Sequence, residues 1–128
     1  MDIRTRVLST DEIQAVVKLL CELLLEHDVT KVKTSFGLGC DLDIDEMWQD
    51  TEIEVNDIYE YMALNEKKGI LKVGESDFFI EADLCQIKVC HESDVHFTSN
   101  KTLVETVYED WQSKGYKPYQ VKPRKLAT

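Results

Sequence analysis

Between residues 70 and 98 the chain alternates short β-forming runs with turn clusters, and that spacing constrains the fold more than any other feature. The runs are 70–73, 78–82, 85–90 and 95–98, separated by Gly74-Glu75-Ser76-Asp77, by Asp83-Leu84 and by His91-Glu92-Ser93-Asp94. Connections this short join antiparallel neighbours, because a parallel return needs a crossover of a dozen or more residues. In the third run Cys85, Ile87 and Val89 share one side while Gln86 and Lys88 share the other. That is the pattern of a sheet with one wet face, whose dry face must be covered by helices.

Helices are available on both sides of this meander. Ser9 and Glu12 have the spacing of a capping box, with Leu8 and Ile13 placed as a staple, ahead of Ile13, Val16, Val17, Leu20 and Leu24 at helical spacing. A last helix is predicted from Asn100 through Leu103, Val104, Val107, Tyr108 and Trp111 to Gly115. Residues 29–36 alternate as a half-buried strand would. The predicted class is α+β: an N-terminal helix, an acidic helical segment, an antiparallel β meander of three to five strands, and a C-terminal helix packed on the sheet. At 128 residues this is one domain, expected over 1–118. Residues 119–128 are expected to form a basic, loosely ordered tail, with Lys122, Arg124 and Lys125 and no acid after Asp110.

The charge is as localised as the strands. Residues 34–66 hold ten carboxylates and no Lys or Arg, in a chain of 25 acids and 15 bases, so the rest of the chain is balanced and the net −10 belongs to this segment. Within it a short helix is expected around Ile44, Met47 and Trp48. A second is expected on the stripe Val55, Ile58, Tyr59 and Met62, ending at Gly69. Asp41, Asp43, Asp45 and Glu52 stand at positions 1, 3, 5 and 12 of a calcium loop, but Glu46 occupies the position where such a loop turns on Gly. No calcium site is expected there.

A second cluster, Cys90-His91-Glu92-Ser93-Asp94-Val95-His96 with Cys85 nearby, gathers the donors of a zinc or thiol site. Adjacent strand residues face opposite sides, and a turn of this composition serves local backbone hydrogen bonds, so sequence spacing alone does not make the donors converge. The four cysteines contain no CxxC pair and are expected to be reduced and mostly buried. No phosphate-cradling loop or nucleophile motif is present, and the expectation is a non-enzyme without cofactor or metal.

Net negative charge disfavours direct contact with nucleic acid and with anionic membranes, and no apolar run has the length of a signal peptide or a span, so a cytoplasmic location is expected. The acidic stretch is best suited to a basic protein partner. Its expected contact residues are Asp41, Asp43, Asp45, Glu46, Trp48, Asp50, Glu52, Glu54 and Asp57, since charge accelerates encounter and Trp is frequent among interface anchors. In composition, though in no motif, the chain is similar to the immunity proteins of bacterial competition systems. The expectation is therefore a small acidic non-catalytic binding domain, an immunity-type inhibitor of a basic, nucleic-acid-cleaving toxin. The alternative is a metal- or thiol-dependent site at Cys85, Cys90, His91, Asp94 and His96.

Overall fold

A computed structural model describes residues 1–122. It is an α+β fold of three α-helices and a seven-stranded antiparallel sheet. The elements run β1 (Asp2–Arg4), α1 (Thr10–Glu26), β2 (Lys31–Phe36), β3 (Thr51–Glu54), α2 (Ile58–Lys67), β4 (Phe78–Glu81), β5 (Cys85–Val89), β6 (Val95–Ser99), α3 (Lys101–Ser113) and β7 (Tyr119–Val121). Strand order is β3-β2-β4-β5-β6-β1-β7. The consecutive β4-β5-β6 meander forms the centre, and the N-terminal strand β1 adds to its last strand.

Register explains the two faces. Across the sheet Thr34, Ile80, Ile87, Phe97 and Ile3 stand opposite one another in one row, and Phe36, Phe78, Val89 and Val95 in the next. Both rows face the core, where α1 contributes Ile13, Val16, Val17, Leu20 and Leu24 and α3 contributes Leu103, Val104, Val107 and Trp111. Each such side chain taken fully from water stabilises the fold by about 1.5–3 kcal/mol before entropy is counted. The intervening rows, Ser35-Phe79-Lys88-His96-Arg4-Tyr119 and Glu52-Lys33-Glu81-Gln86-Thr98-Asp2-Val121, line the opposite face. Lys33, Glu52, Glu81, Gln86 and Thr98 are exposed there.

The local start and stop signals act as the sequence reading expects. Ser9 Oγ accepts from Glu12 N at 3.2 Å while Glu12 Oε1 accepts from Ser9 N at 3.0 Å, so the capping box at α1 is reciprocal. Asn100 Oδ1 accepts from Leu103 N at 3.0 Å to cap α3. Gly69 ends α2 at φ +78°, where a side chain would be strained.

Several features depart from the sequence reading, the unforeseen N-terminal strand β1 among them. Ile44, Met47 and Trp48 lie in a chain of turns in place of the short helix expected there, and residues 51–54, between the two expected helices, form the edge strand β3. Val73 makes only an isolated bridge to Ser76, so 70–73 is a strap over the core and no strand. Tyr59 is exposed, because α2 turns Ile58, Met62 and Asn65 inward and leaves Tyr59 beside that stripe. At the C-terminus Tyr119–Val121 pairs antiparallel with β1, whose outer edge would otherwise lack partners, so the ordered sheet runs past residue 118. The remainder of the expected tail, from 123, lies outside the described residues.

Candidate functional site

The acidic surface is the connection between β2 and β3, residues 37–50, continued along β3 and into the turn before α2. Its roots are fixed. Gly37 N donates to Asp77 O at 3.0 Å, Asp77 N donates back to Leu38 O at 2.7 Å, and Asp41 N donates to Ile70 O at 2.9 Å. Ser76 Oγ donates to Gly39 O at 2.7 Å, and the Cys40 thiol to Asp77 O at 3.4 Å. Gly39 is required here, since at φ +82° a Cβ would stand 2.3 Å from the Glu75 carbonyl oxygen. At the far end Trp48 N donates to Phe36 O at 2.8 Å, and the indole packs on Phe79 with ring centroids 5.5 Å apart. A Cβ at Gly37 would meet that indole at 2.7 Å, so Gly37 leaves the room in which Trp48 lies down.

All nine expected contact residues are exposed: Asp41, Asp43, Asp45, Glu46, Trp48, Asp50, Glu52, Glu54 and Asp57. Among them, and among the described residues, only Glu52 has a basic partner, Lys31 at 3.7 Å. Ile44 stands 80% exposed and Trp48 52% exposed amid these carboxylates. The four acids at calcium-loop spacing do not converge: Asp41, Asp43 and Asp45 sit in the loop while Glu52 lies on the strand against Lys33.

The Cys/His cluster lies along the same end of the sheet, at the turn between β5 and β6, since Phe36, Phe78, Val89 and Val95 end their strands in one row. Cys90 N donates to Asp94 O at 2.9 Å and Ser93 N to Cys90 O at 3.1 Å, closing the turn with Ser93 at φ 65°. Ser93 Oγ ties it to Gly74 O at 2.9 Å, and Val95 N donates to the buried Thr5 hydroxyl at 3.1 Å. Two carboxylate–imidazole pairs flank the Cys90 thiol. On one side Asp77 Oδ1 accepts from both His91 N and His91 Nδ1 at 2.8 Å, with Cys90 Sγ 3.8 Å from Nδ1. On the other side His96 Nε2 lies 3.0 Å from Asp94 Oδ2. Within each triplet, Asp77/Cys90/His91 and Cys90/Asp94/His96, the donor atoms all lie within 4.8 Å of one another.

The electrostatics of the cluster argue against a thiolate nucleophile. Burial pushes the Cys90 thiol up and the Asp94 charge pushes the same way, outweighing help from the Glu92 backbone and Lys88. For Asp94, burial raises the carboxyl, but the His96 hydrogen bond and charge, with Cys90 and Arg4, hold it below the usual carboxylate range. Burial alone carries Cys85 to about 11. All four cysteines are free and buried.

Of the residues read from sequence, Cys90, His91, Asp94 and His96 come together and Cys85 does not. Cys85 is five positions from Cys90 along an extended strand and opposite Ser99, with its side chain on the core face. Asp77 is the member sequence reading missed. It precedes β4, and the register that pairs Phe78 with Val89 sets it beside Cys90; only that long-range pairing would have revealed it. Trp48, Phe79, Lys88 and His96 line one shallow cavity of about 300 Å³ between the acidic loop and the cluster. No protein family, no curated protein and no solved structure matches this chain.

Proposed function

We propose that this is a non-catalytic protein-binding domain that covers a basic partner with the surface built from Asp41, Asp43, Asp45, Glu46, Trp48, Asp50, Glu52, Glu54 and Asp57. One observation carries the reading. Nine side chains projecting from one fixed loop, its edge strand and the turn before α2 include eight carboxylates, of which one has a counter-ion among the described residues, with Ile44 exposed in their midst. Concentrated like charge costs self-repulsion, which a basic partner turns into attraction, while Ile44 and Trp48 supply apolar area that only an interface would bury. The partner class that fits is a protein whose own surface is basic because its substrate is a polyanion. A nucleic-acid-cleaving toxin is the example of that class most consistent with a small acidic stoichiometric inhibitor. Direct nucleic-acid binding is disfavoured by the same field. No described helix is long and apolar enough to cross a membrane.

The test compares the wild type with an Asp43→Lys, Asp45→Lys, Glu52→Lys triple variant, as bait in the native host at low salt and then against the captured protein by calorimetry. A basic protein held by the wild type and lost by the variant is expected, with affinity falling as salt rises and circular dichroism unchanged. Equal affinity of wild type and variant for that protein overturns the reading.

A further inference from the structure

The β5–β6 turn places a thiol, an imidazole and a carboxylate around one point, and one of the carboxylate oxygens lacks any partner. Asp94 Oδ1 is buried and makes no hydrogen bond, whereas its sister Oδ2 faces His96 Nε2. A buried acceptor left unsatisfied is rare in folded proteins and calls for a partner such as a water or an ion. Cys90 Sγ, one carboxylate oxygen of Asp94 and one ring nitrogen of His96 all lie within 4.8 Å of one another, so the three side chains converge on a point that a metal ion can occupy.

We propose that Cys90 Sγ, Asp94 and His96 Nε2 bind one zinc ion, leaving a fourth coordination position toward the open face of the sheet. The donor set selects the metal: thiolate and imidazole favour zinc over magnesium or calcium, which take oxygen ligands. Distances agree with this. Zinc bonds of about 2.0–2.3 Å at tetrahedral angles separate two donors by roughly 3.3–3.6 Å. The Asp94–His96 pair at 3.0 Å is already near that separation, and Cys90 Sγ, within 4.8 Å of both, needs to close by at most roughly 1.2–1.5 Å.

Two cations border the site, since Arg4 and Lys88 both stand opposite His96; each also has a carboxylate other than Asp94, Lys88 Nζ lying 3.9 Å from Asp77 Oδ2 and Arg4 3.4 Å from Asp2 Oδ2, so their charge is partly balanced away from the three donors. His91, held by Asp77, is 3.8 Å from the same sulfur and sits where a second imidazole would steady the bound thiolate. Binding is balanced by release of the Cys90 proton to solvent, which makes affinity rise with pH. The site is rigid, with its turn tied to Gly74 and to Thr5, so the ligands are preorganised.

The test uses full-length protein purified without a histidine tag and stripped with a chelator. Zinc chloride, with magnesium chloride beside it, is titrated by calorimetry and by thermal melting, and cobalt(II) serves as a spectroscopic substitute. Expected are one zinc per chain, a raised melting temperature with zinc and none with magnesium, and a cobalt spectrum carrying both a tetrahedral visible band and a thiolate charge-transfer band. Cys90→Ser and His96→Gln should each weaken zinc by at least ~10-fold, since losing even an outer partner of a ligand costs about 10–100-fold. His27→Gln, at the exposed end of α1, should leave it unchanged. Absence of stoichiometric zinc binding, a cobalt spectrum without the thiolate band, or zinc affinity unmoved by both ligand variants overturns the proposal. The cobalt spectrum of the wild type decides the matter even where a variant fails to fold.

Discussion

Removing Asp77 tests whether one buried carboxylate holds the open face together. Its side chain is 2% exposed and accepts two hydrogen bonds at 2.8 Å from His91, one from the backbone N–H and one from the ring. A hydrogen bond to a charged acceptor contributes about 1.5–3 kcal/mol net. In Asp77→Ala the ring, which is 39% exposed, can turn to water and recover much of its bond, while the His91 N–H loses an acceptor and a cavity is left. The sum is about 2–4 kcal/mol of lost stability. Asp77→Asn keeps one acceptor oxygen and the volume, and should lose about 1–2 kcal/mol. A domain of this length melts roughly 3–5 °C lower per kcal/mol, which places the alanine variant on the order of 10 °C below the wild type. Urea unfolding followed by fluorescence suits the measurement, because Trp111 is buried in the core. If Asp77→Ala unfolded within about 0.5 kcal/mol of the wild type, or if Asn cost as much as Ala, the hydrogen-bond account of this position would be refuted.

Gly39→Ala should cost well above the ~1–2 kcal/mol of a left-handed alanine, because its Cβ would meet the Glu75 carbonyl at 2.3 Å, whereas Gly115→Ala at φ +78° has nothing within 4 Å and should cost only that conformational amount; equal melting temperatures for the two would contradict the close approach. Asp94 is held below the usual carboxylate range, so its contribution is present above the unfolded value near 3.8 and is lost as pH falls through the folded value; Asp94→Asn should therefore flatten the acid limb of the stability curve below about pH 3.8, and an unchanged limb would contradict the shift.

What could be read from the residues alone was what local chemistry decides. The capping box at Ser9 and Glu12, the Asn100 cap and the alternation of Cys85 through Val89 each depend on neighbours within a few positions, and each stands in the structure as the pattern implies. The missed elements are those with too little pattern to see. Strand β1 turns only Ile3 inward and β3 only Ile53, so three or four residues of Asp, Arg, Thr and Glu around a single apolar position carry no visible period. They become strands because β6 and β2 present edges whose backbone groups need partners. The same distinction divides the Cys/His cluster. Cys90, His91, Asp94 and His96 share one turn and were legible as a group. Cys85 was misplaced with them because an odd separation along a strand sends two side chains to opposite faces, and Asp77 was missed because it arrives from the neighbouring hairpin.

The acidic loop is better suited to binding for being fixed than its composition implies. A run of like charges of this density would, if free, spread to reduce its repulsion and then lose that freedom on meeting a partner. Here the freedom is already lost on folding: Gly37 and Leu38 are bonded to the Asp77 backbone, Asp41 to Ile70, and Trp48 to Phe36. The residues between the Asp41 and Trp48 anchors, Asp43, Ile44, Asp45 and Glu46 among them, project from a loop pinned at both ends. Asp77 therefore stands at the junction of both features, its backbone holding the root of the acidic loop and its side chain holding His91 beside Cys90. Loss of that carboxylate should disturb the His91 side of the cluster while the backbone bonds to Gly37 and Leu38 persist. A partner bound on the acidic surface should thus be retained by Asp77→Asn under conditions where the protein remains folded, which separates the electrostatic surface from the Cys/His cluster by a single substitution.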